Sequence, residues 1–317
     1  MSTSRPRIVV LDAAPALTGL DLGALDALGN VVVHEATAPV DIASRIADAD
    51  IVVLNKVRLG AAEFADAPRL RLVCVLATGH DVVDSDAARA AGVALCNVAG
   101  YSTASTAQTA IGLLLALAQG IVVNAAGCAD GEWTRRGIWS WSDTPLVELD
   151  GKTLAIVGFG AIGRRVGAAA QALGMRVVPA AVPGRPTEGR TPLAEVLPVA
   201  DAVSLHCPLT PLTRGLVDAT FLAAMRPGAF LVNAARGPVV DESAVADALR
   251  SGRLAGYATD VLSSEPPPAD HPLAGAPNCV ITPHLAWASA EARRRLLAET
   301  AGNIEAFLAG AARNRVV

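Results

Sequence analysis

The run Leu154-Ala-Ile-Val-Gly158-Phe-Gly160-Ala161-Ile162-Gly163 sets three glycines at G-x-G-x-x-G spacing behind four apolar residues. In such a run the first glycine permits a tight turn. The second lets backbone approach a pyrophosphate, and the third lets the next helix lie close to the strand. A helix is expected over 164–173, and its first turn offers free N–H groups and a positive dipole end to phosphates. Gly158, Gly160, Ala161, Ile162 and Gly163 are therefore expected to form a dinucleotide site. Three more segments follow apolar runs: Leu231-Val-Asn233-Ala234-Ala-Arg236-Gly, Asp260-Val-Leu-Ser-Ser-Glu265-Pro and Ile281-Thr-Pro-His284-Leu-Ala-Trp287. Ligands bind at the carboxyl ends of strands in parallel sheets. A guanidinium, a carboxylate and an imidazole at such ends are the groups that anion recognition and proton transfer require.

One element of the dinucleotide pattern is missing. An acidic residue about 20 positions on ordinarily holds the ribose 2′-hydroxyl of NAD, but the run 175–182 carries Ala181 there. Arg185 follows, and Arg190 lies a little further on. Losing the carboxylate removes repulsion against a 2′-phosphate, and a guanidinium can pair with one. The expected cofactor is NAD or NADP, with the balance toward NADP or dual use.

These residues need strands and helices to hold them. β-Branched runs at 8–11, 31–33, 51–54, 72–75 and 93–95 read as buried strands, with amphipathic stretches at 41–49 and 85–91 between them. A second series covers 154–157, 176–178, 202–205, 230–232, 256–259 and 280–282. Alternation of this kind implies βαβ units. The fold class is therefore α/β, with two Rossmann-like or flavodoxin-like parallel-sheet domains and an active site expected in the cleft between them. Residues 1–101 with 287–317 are assigned to a substrate-binding domain, and 102–286 to a dinucleotide-binding domain. Between the two series, 102–120 reads as an apolar helix capped by Ser102 or Ser105, and 131–145 carries three of the four tryptophans.

With 317 residues, 52% hydrophobic and 18% charged, the chain has material for two ordinary cores. The net charge of −4 argues against a general nucleic-acid binder. Arg293, Arg294 and Arg295 are read as the solvated side of a helix over 289–309. The five cysteines form no CxxC pair, which suggests buried thiols in a reducing compartment. No signal-peptide pattern is visible, and the apolar stretch 110–118 is too short to span a bilayer. A cytoplasmic protein with no membrane or nucleic-acid partner is expected. HExxH and zinc-type spacings are absent, so no metal is expected.

Taken together, the glycine turn and the Arg236, Glu265 and His284 segments closely resemble the D-isomer-specific 2-hydroxyacid dehydrogenase family. The resemblance runs over nearly the whole chain and includes 204–210 and 225–230. Asn55-Lys56-Val57, Gly100-Tyr-Ser-Thr-Ala-Ser105 and the His284-Leu-Ala-Trp-Ala-Ser289 ending look most like the hydroxypyruvate reductases (glycerate dehydrogenases) of that family.

The resemblance implies a hydride transfer between NAD(P)H and a small 2-keto acid, hydroxypyruvate or glyoxylate foremost. It implies that Arg236 holds the substrate carboxylate and carbonyl and that His284 is the general acid or base. Glu265 would orient His284 and favour its protonated form. It further implies cofactor-lining positions at His206, Pro208, Thr213, Asn233, Ala234, Asp260 and His284, beside Ala181 and Arg185. Substrate contacts are implied at Lys56, Thr78, Gly79, His80, Arg236 and His284. His80 stands where relatives often carry a smaller or hydroxyl side chain. His34 and His271 read as ordinary. Trp139 and Trp141 lie in the segment that crosses between subunits in the family, which implies a homodimer. Two other readings remain. One is another D-2-hydroxyacid dehydrogenase, although a phosphoglycerate-type enzyme often carries a C-terminal regulatory domain that is not expected here, and a formate-type relative carries Gln where Glu265 stands. The other is a non-catalytic NAD(H)-sensing protein like the corepressors of this fold.

Overall fold

The computed structural model describes residues 5–317. The chain divides into two units, Met1–Ser102 with Ala288–Val317, and Thr103–Trp287. Each is built on one parallel sheet, the α/β pattern that the alternation in the sequence predicts.

The first unit carries β1 (Arg7–Val10), β2 (Asn30–Val33), β3 (Ile51–Leu54), β4 (Leu72–Val75) and β5 (Ala94–Cys96), ordered β2-β1-β3-β4-β5. β3 and β4 are buried at every position. Covered on both faces, they read as unbroken apolar runs rather than alternating ones. The order reverses between β1 and β3, and the loops leaving those strands meet there. Just past β1, the buried Asp12 carboxylate accepts N–H bonds from Asn55 at 2.7 Å, Lys56 at 2.5 Å and Val57 at 3.0 Å. Burial raises the pKa of Asp12, and these three bonds oppose that shift. The helix Ala290–Leu308 completes the unit, with Ser289 as its N-cap accepting the Ala292 N–H. The arginine run is largely the solvated face expected of it, with Arg294 and Arg295 exposed and Arg293 half-buried. Arg293 donates to the Ala16 carbonyl at 3.0 Å and Arg295 to that of Tyr101 at 2.9 Å, while Arg294 pairs with Glu291 on the surface.

The second unit carries β6 (Thr153–Val157), β7 (Arg176–Ala180), β8 (Ala202–Leu205), β9 (Ala229–Asn233), β10 (Leu254–Thr259) and β11 (Cys279–Ile281). Their order is β11-β10-β9-β8-β6-β7, so the reversal falls between β6 and β8. The helix Thr103–Ala118 buries Ala107, Ala110, Leu113, Leu114 and Leu117 in the unit's own core, beside the helix Ala161–Ala172. Each such leucine contributes about 2 kcal/mol by leaving water. Ser105 lies inside that helix and does not cap it; its hydroxyl donates to the Ala286 carbonyl at 2.6 Å.

Two shorter helices follow, Ile121–Ala129 and Glu132–Arg136, and neither buries a residue. Trp139 beyond them is 92% exposed. Cys128 is exposed as well, against the expectation of buried thiols. No single helix among the described residues is long and apolar enough to cross a membrane.

Candidate active site

β6 ends at Val157, and the glycine turn begins at once. Gly158 has φ +99°, and a Cβ there would lie 2.5 Å from the backbone of His206 and Cys207. A Cβ at Gly163 would meet the Gly158 carbonyl oxygen at 2.2 Å. Packing alone therefore requires these two glycines. Gly160 differs, because a Cβ there would meet nothing within 4 Å. The turn presents open space at its middle glycine, at the start of the helix Ala161–Ala172. An anion placed there would face free N–H groups, so the turn fits the pyrophosphate of a nicotinamide dinucleotide. Ala161 and Ile162, exposed and half-buried, form the first turn of that helix.

Arg185 is exposed in a turn after β7, and Arg190 is the guanidinium brought to the glycine turn. The Ala181 N–H donates to the Thr191 carbonyl at 2.8 Å, which lays residues 190–191 beside the end of β7. Arg190 stacks over the Phe159 ring at 5.2 Å and donates to the Phe159 carbonyl at 3.4 Å; Arg164 reaches the same carbonyl at 3.3 Å. Two guanidinium groups thus stand at the Phe159 carbonyl in the glycine turn, and the backbone of the residue after Arg190 is paired with Ala181.

His206 leaves β8 opposite this turn, its N–H donating to the Val157 carbonyl at 2.7 Å. Its Nε2 lies 2.8 Å from the Ser204 hydroxyl. Its Nδ1 is sealed from solvent with no hydrogen-bond partner among the described residues. Burial pushes the ring's pKa down to about 4, so it is neutral near pH 7 and unsuited to delivering protons. Pro208 in the next turn is exposed.

The adjacent strands β9, β10 and β11 deliver the other groups from their carboxyl ends. Asn233 is fully buried; its amide donates to the Arg236 carbonyl at 3.1 Å and accepts from the Ala235 N–H at 3.0 Å. These bonds tie down the buried Ala234–Ala235 turn from which the exposed Arg236 projects. Asp260, 1% exposed, accepts from the Thr282 hydroxyl at 2.6 Å and from the Leu285 and Ala286 N–H groups at 2.8 Å. Its carbonyl takes the His284 N–H at 2.9 Å. These bonds hold His284 at φ +55°, a left-handed conformation that costs a residue with a side chain about 1 kcal/mol or more.

The His284 Nδ1 donates to Glu265 Oε2 at 2.6 Å, and Glu265 Oε1 accepts the Leu262 N–H at 2.9 Å. Because Nδ1 is committed, Nε2 is the ring atom left for chemistry. The two side chains are 30% and 36% exposed, which keeps that atom within reach of a ligand.

Three of the expected cofactor-lining residues have buried side chains. Asn233 and Asp260 are engaged as above, and Thr213 is fully buried, its hydroxyl donating to the Pro208 carbonyl at 2.7 Å. All three side chains shape their loops from inside and present no free surface. In the first unit, Lys56 follows β3, while Thr78, Gly79 and His80 follow the neighbouring β4, so the four share one sheet edge. Thr78 is fixed there by its hydroxyl on the Val98 carbonyl at 3.0 Å and by Asn97 on its own carbonyl at 2.7 Å.

Sequence reasoning missed two groups. Asp12 was visible only as an acid directly behind a buried run. His271 is not ordinary: it is buried against an equally buried Glu242, 3.1 Å away. Among the described residues, no group of three or more His, Cys, Asp or Glu could hold a metal ion.

Known proteins resemble this chain over nearly its whole length. The family model for the D-isomer specific 2-hydroxyacid dehydrogenase NAD binding domain matches residues 111–286. A hydroxypyruvate reductase of Blautia hydrogenotrophica is 41% identical over 98% of this chain and 99% of its own. A glycerate dehydrogenase of Methylorubrum extorquens is 38% identical over 89% and 90%. Among solved structures, the NADPH-dependent glyoxylate/hydroxypyruvate reductase of Sinorhizobium meliloti, in complex with NADP and malonate, superposes with a TM-score of 0.84. It is 28% identical over 99% of this chain and 97% of that one. The glycine turn, the Arg236 turn and the Glu265–His284 pair thus lie in a chain that belongs to the D-isomer specific 2-hydroxyacid dehydrogenase family.

Proposed function

We propose that this protein is an NAD(P)-dependent dehydrogenase that reduces hydroxypyruvate or glyoxylate to the matching 2-hydroxy acid. The observation that carries the reading is the 2.6 Å Glu265–His284 pair, on the same sheet edge as Arg236 and the glycine turn. The relatives named above act on such acids, which supports the substrate class.

When bound, the cofactor supplies the hydride. The chain does the rest. Gly160 and the first turn of the helix Ala161–Ala172 hold the phosphates. Arg236 grips the substrate carboxylate with a planar guanidinium, fixing which face of the carbonyl is presented. Glu265 keeps the His284 ring oriented through Nδ1, so that Nε2 delivers a proton to the carbonyl oxygen as negative charge develops there. In oxidation Nε2 takes the hydroxyl proton back. Asp260 and Asn233 hold the two turns in place.

The second unit is the dinucleotide-binding domain in this reading, and Arg190 with Arg164 gives it room for NADP as well as NAD. Lys56, Thr78, Gly79 and His80 of the first unit are assigned to substrate recognition. The exposed apolar residues Ile121, Val122, Trp133, Trp139 and Leu146 support a homodimer that covers them. Five free thiols support a reducing compartment, the cytoplasm.

The test is the initial rate of NADH and NADPH oxidation with hydroxypyruvate, glyoxylate, pyruvate and 2-ketobutyrate. Hydroxypyruvate or glyoxylate should turn over fastest, and His284→Gln should lower kcat by about 10²- to 10⁴-fold. No turnover on the panel, or full activity in His284→Gln, would overturn the reading.

A further inference from the structure

Glu242 opens the helix Glu242–Arg250, a position where a glutamate is ordinarily a solvated acid favoured by the helix dipole. Here it is 9% exposed, and capping is done by Asp241, which accepts from Ser243 and Ala244. A buried carboxylate needs partners for its oxygens, and this one has them. Oε1 accepts the Ser263 N–H at 2.8 Å, and Oε2 lies 3.1 Å from Nε2 of the buried His271. The Leu273 N–H points at Nδ1 of that ring, at 3.4 Å. That makes Nδ1 an acceptor and Nε2–H the donor to Glu242.

The peptide that Glu242 grips is the one on which the candidate catalytic groups depend. Ser263 lies two residues before Glu265, and the neighbouring Leu262 N–H is held by Glu265 Oε1. The Arg236 turn presses on the same peptide: a Cβ at Gly237 would lie 2.0 Å from the Leu262 carbonyl carbon and 2.3 Å from the Ser263 nitrogen. The Leu262–Ser263 peptide therefore has the Arg236 turn against it, Glu242 on its N–H and Glu265 closing back on the residue before.

We infer that the buried Glu242–His271 pair is a positioning device for the reaction, fixing the Leu262–Ser263 peptide so that Glu265 orients His284 and the Arg236 turn keeps its place. The inference rests on the proposed function. His271 keeps Glu242 in position through Oε2 and so acts at one remove. Neither residue reaches the reacting atoms.

The experiment compares Glu242→Ala, Glu242→Gln and His271→Asn in the full chain, each also in a Glu265→Ala background. Hydroxypyruvate reduction and NADH binding (by fluorescence titration) are measured separately. Displacing a catalytic group by about 1 Å costs up to about 100-fold in rate. Glu242→Ala should therefore lose about 10- to 100-fold in kcat while its Kd for NADH stays within about twofold. Glu242→Gln keeps an oxygen for the Ser263 N–H but turns an NH2 toward His271 Nε2–H, so it should recover only part of the loss. With Glu265 already Ala, Glu242→Ala should cost little more, because the two act through one path. Fully additive losses, unchanged kcat in both Glu242→Ala and His271→Asn, or NADH binding lost in step with kcat would each overturn the inference. If the unaltered chain turns over no substrate, the proposed function fails and this inference with it. Turnover by the unaltered chain with a silent Glu242 overturns the inference alone.

Discussion

Acidification should weaken the second unit through His206, and replacing that residue should remove the effect. The residue is half-buried beside the glycine turn, with Nε2 on Ser204 and Nδ1 sealed without a partner among the described residues. Burial holds its pKa at about 4, below the ordinary 6.5. A histidine depressed in this way is protonated first in the unfolded chain. Its contribution to stability is complete above pH 6.5 and is lost as pH falls from there to about 4. The interval of about 2.5 pH units, at about 1.4 kcal/mol each, is worth about 3 kcal/mol, of which about 2 kcal/mol is gone by pH 5. All four tryptophans, Trp133, Trp139, Trp141 and Trp287, lie in the second unit. Urea unfolding followed by tryptophan fluorescence therefore reports on that unit. Measured at pH 7.5 and pH 5, the unaltered chain should lose about 2 kcal/mol more than His206→Gln, since the remaining titrating groups are common to both. Glutamine retains an amide for Ser204, which limits the damage at neutral pH. Equal loss in the two proteins would refute the reasoning, because it would mean that His206 is free to protonate in the folded state.

Arg190→Ala should raise the Kd for NADPH by about tenfold or more relative to that for NADH, because the 2′-phosphate offers the guanidinium a charged partner that NADH lacks. Fluorescence titration with both coenzymes checks it, and equal shifts would refute it. If the proposed homodimer covers the apolar patch around Trp139, Trp139→Asp should give single chains in sedimentation velocity at micromolar protein, since a charge would then sit in that patch. A single-chain mass for the unaltered protein would refute the dimer.

Much of the scaffold is legible in the sequence because parallel strands are apolar without interruption. The runs at 51–54, 72–75 and 202–205 are strands from end to end. Elsewhere the ends move, as in β1, which spans Arg7–Val10 where 8–11 was expected. The hydrogen-bond ladder sets a strand's end, and hydropathy does not report it. The stretch 41–49 is a short 3-10 turn, Pro39–Asp41, and the helix Ile42–Ile46. Proline at the first position favours such a start. The glycine turn and the Arg236, Glu265 and His284 segments follow strands, as the apolar runs before them imply, while the roles given to them rest on the family resemblance. Which of Arg185 and Arg190 reaches the glycine turn is not legible in the sequence, because loop path decides it, and the path depends on the Ala181–Thr191 bond.

The illegible part has a common physical cause. Loops that present backbone or side chains to a ligand cannot pair their N–H groups in a ladder, yet their bases are buried and those groups need acceptors. In both units a buried carboxylate meets that need. Asp12 accepts three N–H groups of the 55–57 loop, Asp260 accepts two beyond His284, and Glu242 accepts that of Ser263 before Glu265. A carboxylate suits the task because its two oxygens accept several charge-assisted bonds at once. In the sequence, Asp12 and Glu242 are indistinguishable from surface residues, since burial comes from segments far along the chain: 43 to 45 residues for Asp12 and 21 for Glu242. Candidate ligand-facing residues at strand ends are therefore readable from their positions and from the family resemblance. The acids that aim them become readable only once the chain has folded over them.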